Sequence, residues 1–203
     1  MSRLYPLFLN LHGRSCVVIG GDHMAEAKIA DLLEAEARVK VIAEAVTGKI
    51  AEWAREGRVR WEARNYVPGD LKGAFLVVSI ADPATNAGVF AEAEERSMFC
   101  NAVDDIEHCN CYASAVVQRG PLQIAISTAG NSPALAQRLR SEFEQRIGLE
   151  YAAWVEELGA QRMRLFQDPT LDSATRRKLL HEQASSAAFE AFRKLHPSKT
   201  KAP

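Results

Sequence analysis

The sequence has no long hydrophobic run and no excess of charge of one sign, and each of these absences excludes a class of protein. No apolar stretch approaches the roughly 18 residues that span a bilayer, so we expect no membrane partner. The formal net charge is −1 over 203 residues, which provides no bulk attraction to nucleic acid. With 47% hydrophobic and 25% charged residues, the chain has the composition of an ordinary globular protein.

The chain has only four cysteines, and we expect no secretory signal. The four cysteines are Cys16, Cys100, Cys109 and Cys111. The opening MSRLYPLFLNLHGR does not have the layout of a signal peptide, because its short apolar stretch is broken by Pro6 and Asn10. Thiols without a secretory signal are typical of a reducing compartment. We therefore expect a cytoplasmic protein.

The first hundred residues alternate between strand and helix patterns. The predicted strands are Ser15–Ile19, Val39–Ile42, Val59–Ala63, Phe75–Ser79 and Phe99–Ala102. The predicted helices are Met24–Ala35, Val46–Glu56 and Pro83–Arg96. Short runs rich in Val and Ile are typical of buried parallel strands. The alternation predicts an α/β fold with a Rossmann-like, doubly wound parallel sheet.

The pattern changes after Asp105. Two strand-like runs, Ala115–Val117 and Leu122–Ser127, flank Gly120 and Pro121, and they form either a hairpin or arms that reach a second subunit. Ser132 and Pro133 predict the N-cap and first residue of a helix. The stretch from 149 to 195 is helical in pattern, with breaks predicted at residues 168–169 and 172–173.

The stretch CVVIGGDHMAEAKI, from Cys16 to Ile29, nearly matches a dinucleotide-binding turn. Gly20 and Ala25 fit the first and last positions of that motif, but Asp22 occupies the middle glycine. Its carboxylate would oppose a pyrophosphate by about 4 kcal/mol at 4 Å and an effective dielectric of 20, unless it turns away. The alternative is that Asp22 only caps the helix.

Two other acidic positions bear on this turn. Glu44 lies about twenty residues beyond it, where an acidic group binds a ribose hydroxyl, although an exposed loop glutamate is an equal alternative. Glu36 stands where a left-handed glycine is expected to end the first helix.

Asp104 and Asp105 follow the strand Phe99–Ala102, at the sheet edge where open α/β sheets bind ligands. Two adjacent carboxylates there can transfer protons if one is buried and the other is solvated. Ordinary turn chemistry is the competing interpretation.

Two further clusters are candidates for binding. His108, Cys109 and Cys111 form a compact group, but no second pair of ligands exists to complete a structural zinc site. Before the helix at Pro133, hydroxyls and an amide can bind an anionic group or simply cap the helix. The residues of this segment are Ser127, Thr128, Asn131 and Ser132.

Several of these stretches together resemble one family. They are LYPLFLNLHGRSCVVIGG, the residues Ala25, Glu26 and Lys28, FCNAVDD, and GPLQIAISTAGNSPALAQRLR. In this order they resemble the siroheme-synthase N-terminal module, also known as precorrin-2 dehydrogenase and often as sirohydrochlorin ferrochelatase. The resemblance covers about residues 1–150 strongly. It implies an NAD-binding domain over 1–112, a small α+β dimerisation region over 113–147 and a helical module over 148–203.

The resemblance also implies an activity. Such enzymes use NAD to oxidise precorrin-2 to sirohydrochlorin, and the bifunctional ones insert Fe²⁺; they work as homodimers. Asp104 maps onto the general base, and Thr128, with Asn131 and Ser132 beside it, onto the tetrapyrrole site. No residue is assigned as a ligand of a resident metal. The NAD contacts map onto Gly20, Gly21, Asp22, His23, Met24, Glu44, Ala45, Ser79, Ile80 and Ala81.

Because Asp22 replaces the third glycine of such relatives, two other hypotheses stay open. One is a chelatase that keeps Asp104 but has a vestigial NAD site. The other is a non-catalytic tetrapyrrole- or metal-binding protein on the same scaffold, in which His108, Cys109 and Cys111 hold the metal.

Overall fold

The computed structural model describes residues 4–196 and divides the chain into two compact units, one up to Ala113 and one from Ser114 onward. The first unit thus ends one residue beyond the domain predicted over 1–112. The division of the second unit at residues 147 and 148 stays a prediction, and residues 197–203 of its predicted helical module lie outside the described residues.

A parallel sheet of five strands forms the centre of the first unit, in the order β3-β2-β1-β4-β5. The strands are β1 Ser15–Ile19, β2 Arg38–Ile42, β3 Val59–Glu62, β4 Leu76–Ser79 and β5 Phe99–Ala102. All five were predicted within one residue at each end, and the Rossmann-like fold class is confirmed.

Helices cover both faces of this sheet. The helices are α1 His23–Glu34, α2 Gly48–Arg55 and α3 Pro83–Glu95. Alternate strand residues pack into different clusters: Val18 and Val41 join the residues of α1 and α2, whereas Val17 and Val77 join those of α3. This alternation is the sequence pattern of strands buried on both faces.

Parallel pairing brings the carboxyl ends of all five strands to one edge of the sheet. The strand order changes direction between β1 and β4, because the chain proceeds from β1 to β2 and β3 on one side and then returns. Open α/β sheets bind their ligands at such a switch point. The turn after β1 and the loops after β4 and β5 therefore form the candidate site.

The second unit begins with a hairpin and continues as helices. Strands β6 Ala115–Arg119 and β7 Leu122–Ile126 pair antiparallel, which is the hairpin alternative. The helices are α4 Pro133–Arg146, α5 Glu150–Gln167, α6 Ser173–Gln183 and α7 Ser186–Leu195. The breaks predicted at residues 168–169 and 172–173 form one interruption, between α5 and α6, and a further one at Ala184 and Ser185 was not predicted.

Burial differs sharply between the two units. Among the described residues, the only apolar side chains of the second unit that are buried are those of Val117 and Ala136. Leu149, Phe166 and Leu195 are instead 63%, 53% and 78% exposed. Across residues 4–196, no helix combines the length and apolar character required to cross a membrane.

Candidate active site

The turn after β1 contains two glycines that the surrounding backbone requires. Gly20 has φ +123°, and a Cβ on it would lie 2.6 Å from the carbonyl oxygen of Ile80. A Cβ on Gly21 would lie 2.1 Å from the carbonyl oxygen of Ala45. The turn after β1 and the segments after β2 and β4 therefore meet closely, which only glycine permits.

Asp22 is the N-cap of α1. Its Oδ1 accepts a hydrogen bond from the Ala25 amide at 2.9 Å, and its own carbonyl accepts from the Glu26 amide. The helix cap predicted for Asp22 is therefore confirmed. Because a helix leaves its first amides without intrahelical acceptors, the N–H groups of His23 and Met24 remain available beside the cap. Both of these residues are exposed.

The other predicted NAD contacts differ in accessibility. Glu44 is exposed and accepts a hydrogen bond from Asn65 Nδ2 at 2.8 Å. Ser79 is fully buried and its hydroxyl lies 2.7 Å from Asn86 Oδ1, so its side chain faces the interior. Ile80 and Ala81, which follow it, are partly exposed.

These residues fit a dinucleotide. Closely packed glycines shape the turn, free amides stand at the N-terminus of α1, and a carboxylate follows β2. Helix N-termini of this kind bind pyrophosphate through backbone N–H groups and the helix dipole. The opposing feature is the negative charge of Asp22, which lies beside these amides and repels the phosphates.

Asp104 follows β5 in an unusual backbone conformation. Its φ is +60°, in the left-handed region that costs a residue with a Cβ about 1 kcal/mol or more. The side chain is exposed, and none of the residues 4–196 forms a hydrogen bond or ion pair with it. An exposed, unpartnered carboxylate at the ligand edge of the sheet is suited to accept a proton from a bound molecule.

Asp105, in contrast, forms side-chain hydrogen bonds within the protein. Its Oδ2 lies 2.8 Å from His108 Nδ1 and 3.1 Å from Asn86 Nδ2. These hydrogen bonds, from His108 first and then Asn86, hold the pKa of the Asp105 carboxyl below its ordinary value. The two adjacent carboxylates therefore have different environments: Asp105 is fixed within the protein, and Asp104 is free to meet a ligand.

The His108, Cys109 and Cys111 cluster does not assemble as a metal site. The Cys109 thiol lies 3.2 Å from the Ala102 amide and 3.1 Å from the Ala102 carbonyl oxygen. Burial raises the pKa of the Cys111 thiol to about 12, which disfavours the thiolate that binds metals. In the part of the chain that the structure describes, no three His, Cys, Asp or Glu side chains converge as potential ligands.

The predicted tetrapyrrole-binding residues lie in the second unit, between β7 and α4. Thr128 Oγ1 accepts a hydrogen bond from the Ser132 amide at 3.1 Å, and the Thr128 carbonyl accepts from Asn131 Nδ2 at 2.8 Å. Ser132 Oγ caps α4 by accepting from the Leu135 amide at 3.2 Å. The predicted N-cap is thus confirmed, and the segment has a defined turn at Ala129 and Gly130, both with positive φ.

Sequence reasoning missed Asn86, which connects the ends of β4 and β5. The residue is 2% exposed. A signal was present, because Asn86, Val89 and Ala93 lie on one face of α3 at helical spacing, and the latter two are apolar. An amide on a core-facing stripe indicates a buried hydrogen-bonded group. Asn65, the partner of Glu44, had no comparable signal.

Two known families match the chain in sequence. One, described as "Putative NAD(P)-binding", matches residues 7–115. The other, described as "Sirohaem biosynthesis protein central", matches residues 119–146.

Individual proteins are similar over most of this chain. Siroheme synthase 1 of Yersinia enterocolitica serotype O:8 is 35% identical over 188 residues, which are 92% of this chain and 39% of the relative. Siroheme synthase of Neisseria meningitidis serogroup C is 32% identical over 189 residues, 93% of this chain and 39% of the relative. The chain thus spans 39% of the length of these curated relatives. A solved structure of SirC, precorrin-2 dehydrogenase, aligns with a TM-score of 0.77 at 26% identity, over 95% of this chain and 98% of that one.

Proposed function

The chain belongs to the family of siroheme-synthase N-terminal modules and precorrin-2 dehydrogenases, and from this premise we propose that it catalyses the NAD-dependent oxidation of precorrin-2 to sirohydrochlorin. The observation that carries the proposal is Asp104, an exposed carboxylate without a partner among the described residues, at the carboxyl edge of an NAD(P)-binding sheet. The same carboxylate serves Fe²⁺ insertion into sirohydrochlorin, which we propose as a second step.

The oxidation removes two electrons and two hydrogens from precorrin-2. NAD⁺ held at the turn after β1 by Gly20, Gly21 and the amides of His23 and Met24 would supply the acceptor for one of these hydrogens, taken as a hydride to give NADH. Asp104 takes the second hydrogen as a proton and later releases it to solvent. In the chelation step Fe²⁺ is a substrate, and two pyrrole protons leave as the metal enters. Asp104 accepts those protons in turn, so one carboxylate serves both reactions.

The residues that would hold NAD surround the turn after β1. Gly20 and Gly21 shape the turn, and the amides of His23 and Met24 bind the pyrophosphate. The Asp22 carboxylate stays hydrogen-bonded to the Ala25 amide, and this contact reduces its repulsion of the phosphates only in part. We assign Glu44 to a ribose hydroxyl, and Ala45, Ile80 and Ala81 to the walls of the pocket; Ser79 supports them from the interior.

The proposed assembly is a homodimer in the cytoplasm. The second unit has only Val117 and Ala136 as buried apolar residues among those described, and a partner subunit would cover its exposed ones. All four cysteines are free thiols, as suits a reducing compartment. Thr128, Asn131 and Ser132 are proposed to contact the tetrapyrrole.

The test is anaerobic turnover of precorrin-2 with NAD⁺, followed by the absorbance of NADH and sirohydrochlorin, with and without Fe²⁺. We expect NADH formation by the native chain, and a loss of about 10²-fold or more in Asp104→Asn. Fe²⁺ insertion without NADH formation would identify a chelatase only. Tetrapyrrole binding without turnover in either assay would identify a binding protein, and either result would overturn the dehydrogenase proposal.

A further inference from the structure

The backbone on both sides of Asp104 is held by hydrogen bonds. The Val103 amide donates to the Ser79 carbonyl oxygen at 2.8 Å, and the Asp105 amide donates to the Ala102 carbonyl oxygen at 3.3 Å. Asp104 is therefore the middle of a short segment fixed at each end. Its φ of +60° is left-handed, a conformation that persists where the surrounding structure over-determines it and that is common at functional sites.

Asp105, which follows Asp104 in this segment, is held by hydrogen bonds of its side chain. Its Oδ2 is 2.8 Å from His108 Nδ1 and 3.1 Å from Asn86 Nδ2. Asn86 is 2% exposed, and its Oδ1 lies 2.7 Å from the Ser79 hydroxyl. These contacts tie the turn after β5 to the end of β4 and to the first turn of α3, two rigid elements of the same unit.

We propose that His108 and Asn86 are positioning residues, which hold the Asp105 carboxylate and thereby impose the backbone conformation that presents the neighbouring Asp104 to substrate. This inference rests on the proposed function for its substrate, whereas its conformational part depends only on the turn after β5. The two adjacent carboxylates have different roles: Asp105 forms hydrogen bonds with His108 and Asn86, and Asp104 exchanges the proton with substrate.

His108 is itself well placed for such a role. Its side chain is 26% exposed, and its ring lies edge-on to Phe90, with 5.8 Å between centroids. Nδ1 faces Asp105, so the ring is held between an aromatic side chain and a carboxylate. A residue oriented in this way acts through its hydrogen bond rather than by direct proton transfer.

The test compares His108→Leu, which removes the donor, with His108→Asn, whose amide nitrogen can replace Nδ1. Aspartate labelled with ¹³C reports the backbone conformation of Asp104 through its Cα and Cβ shifts, without substrate. We expect His108→Leu to move these shifts away from their left-handed values and to lower kcat about tenfold with KM for NAD unchanged. His108→Asn should restore both, which a direct acid–base role of the imidazole would not allow.

Two controls test whether His108 acts on Asp104 through Asp105. Glu107→Leu changes an exposed side chain in the same short turn, 106–108, and should leave shifts and kcat at native values. In an Asp105→Ala background, His108→Leu should have no further effect, because the residue it acts through is gone. If His108→Leu folds poorly, Asp105→Ala alone provides the test, because it removes the same hydrogen bond from the other side.

Unchanged Asp104 shifts or a native kcat in His108→Leu would overturn the proposal, as would an equally large further loss in the Asp105→Ala background. If the native chain does not oxidise precorrin-2, the proposed function fails, and the Asp104 shifts in the same samples still decide whether His108 positions this residue.

Discussion

At the scale of single residues, Asp22 places a negative charge where a dinucleotide's phosphates would bind, while it stabilises α1 as its N-cap. We predict that Asp22→Gly tightens NAD binding about tenfold, because the opposing charge is removed. The cost in stability is only a few tenths of a kcal/mol, since glycine is a tolerated N-cap. Titration calorimetry measures the affinity.

Two matched variants separate charge from capping. Asp22→Asn keeps the cap without the charge and should give most of the gain in NAD affinity. Asp172→Gly removes an equivalent N-cap in α6, where Asp172 Oδ1 accepts from the Thr175 amide at 2.7 Å, and should leave NAD affinity unchanged. Native affinity in Asp22→Asn would mean that the carboxylate charge is not the obstacle.

Asp104 combines backbone strain with chemistry. Because its φ is +60° and its side chain has no partner in the described part of the chain, glycine relieves strain there without breaking a contact. We predict that Asp104→Gly raises the free energy of unfolding by up to about 1 kcal/mol, while it abolishes precorrin-2 oxidation. Urea unfolding and anaerobic turnover on the same preparation measure the two effects.

The matched variant at this position is Asp104→Asn, because asparagine tolerates the left-handed region but cannot accept a proton. It should lose activity with little change in stability. A destabilised Asp104→Gly would show that the carboxylate contributes to folding and would contradict the assignment of Asp104 to proton transfer alone.

At the scale of elements, Glu92 of α3 connects that helix to the long loop between β3 and β4 through hydrogen bonds. It is 7% exposed, and it accepts hydrogen bonds from the Tyr66 hydroxyl at 2.6 Å and from the Gly69 amide at 2.9 Å. Burial raises the pKa of its carboxyl, but the hydrogen bonds from Tyr66, Gly69, Arg96 and Leu71 outweigh burial and leave that pKa lowered. The loop is thus held by a buried carboxylate that accepts its hydrogen bonds from protein groups.

A lowered pKa in the folded state gives stability that is present above the ordinary pKa and is lost as pH falls through the folded value. The Glu92 contribution should therefore be complete at neutral pH and decline below about pH 4.5. We predict that Glu92→Gln costs about 2 kcal/mol at pH 7 and flattens the acid side of the stability curve. The control Glu95→Gln, at an exposed position of α3, should follow the native dependence of stability on pH. If the stabilities of the native chain and of Glu92→Gln fall in parallel down to pH 3, the lowered pKa of Glu92 is contradicted.

The elements were predictable where local patterns determine them. Strands β1, β2 and β4 follow from short runs rich in Val and Ile, and the start of α4 follows from Ser132 and Pro133. Glu36 confirms the left-handed position expected at the end of α1, with φ +57°, although the sequence supplies no glycine there. The break before α7 was missed because Ser185 caps that helix within a run that has no proline or glycine.

The candidate site was predictable only in part, for a physical reason. Asp104 and Asp105 are adjacent in sequence, so their place at the sheet edge followed from β5 alone. Their different roles depend on Asn86, which is 19 residues away from Asp105 and reaches it only through the packing of α3 against the sheet. Local sequence patterns carry no information about such a contact, and His108 suggested a metal ligand instead.

At the scale of the whole molecule, the second unit lacks a core of its own among the described residues. Val117 lies on one face of the hairpin and is buried, whereas Val116 points to the opposite face and is 38% exposed. A two-stranded hairpin is marginal in water unless another surface covers it. Association through this unit would bury the exposed face and join two chains symmetrically.

We therefore predict a solution mass of twice 22.4 kDa by light scattering at micromolar concentration. Val116→Glu places a charge on the uncovered face and should shift the mass toward one chain, because burying an unpaired carboxylate costs several kcal/mol. Lys72→Glu, on the exposed surface of the first unit, should keep the native mass. If the native chain has the mass of a single chain, the exposed apolar residues of the second unit are not covered by a second copy, and the homodimer proposal fails.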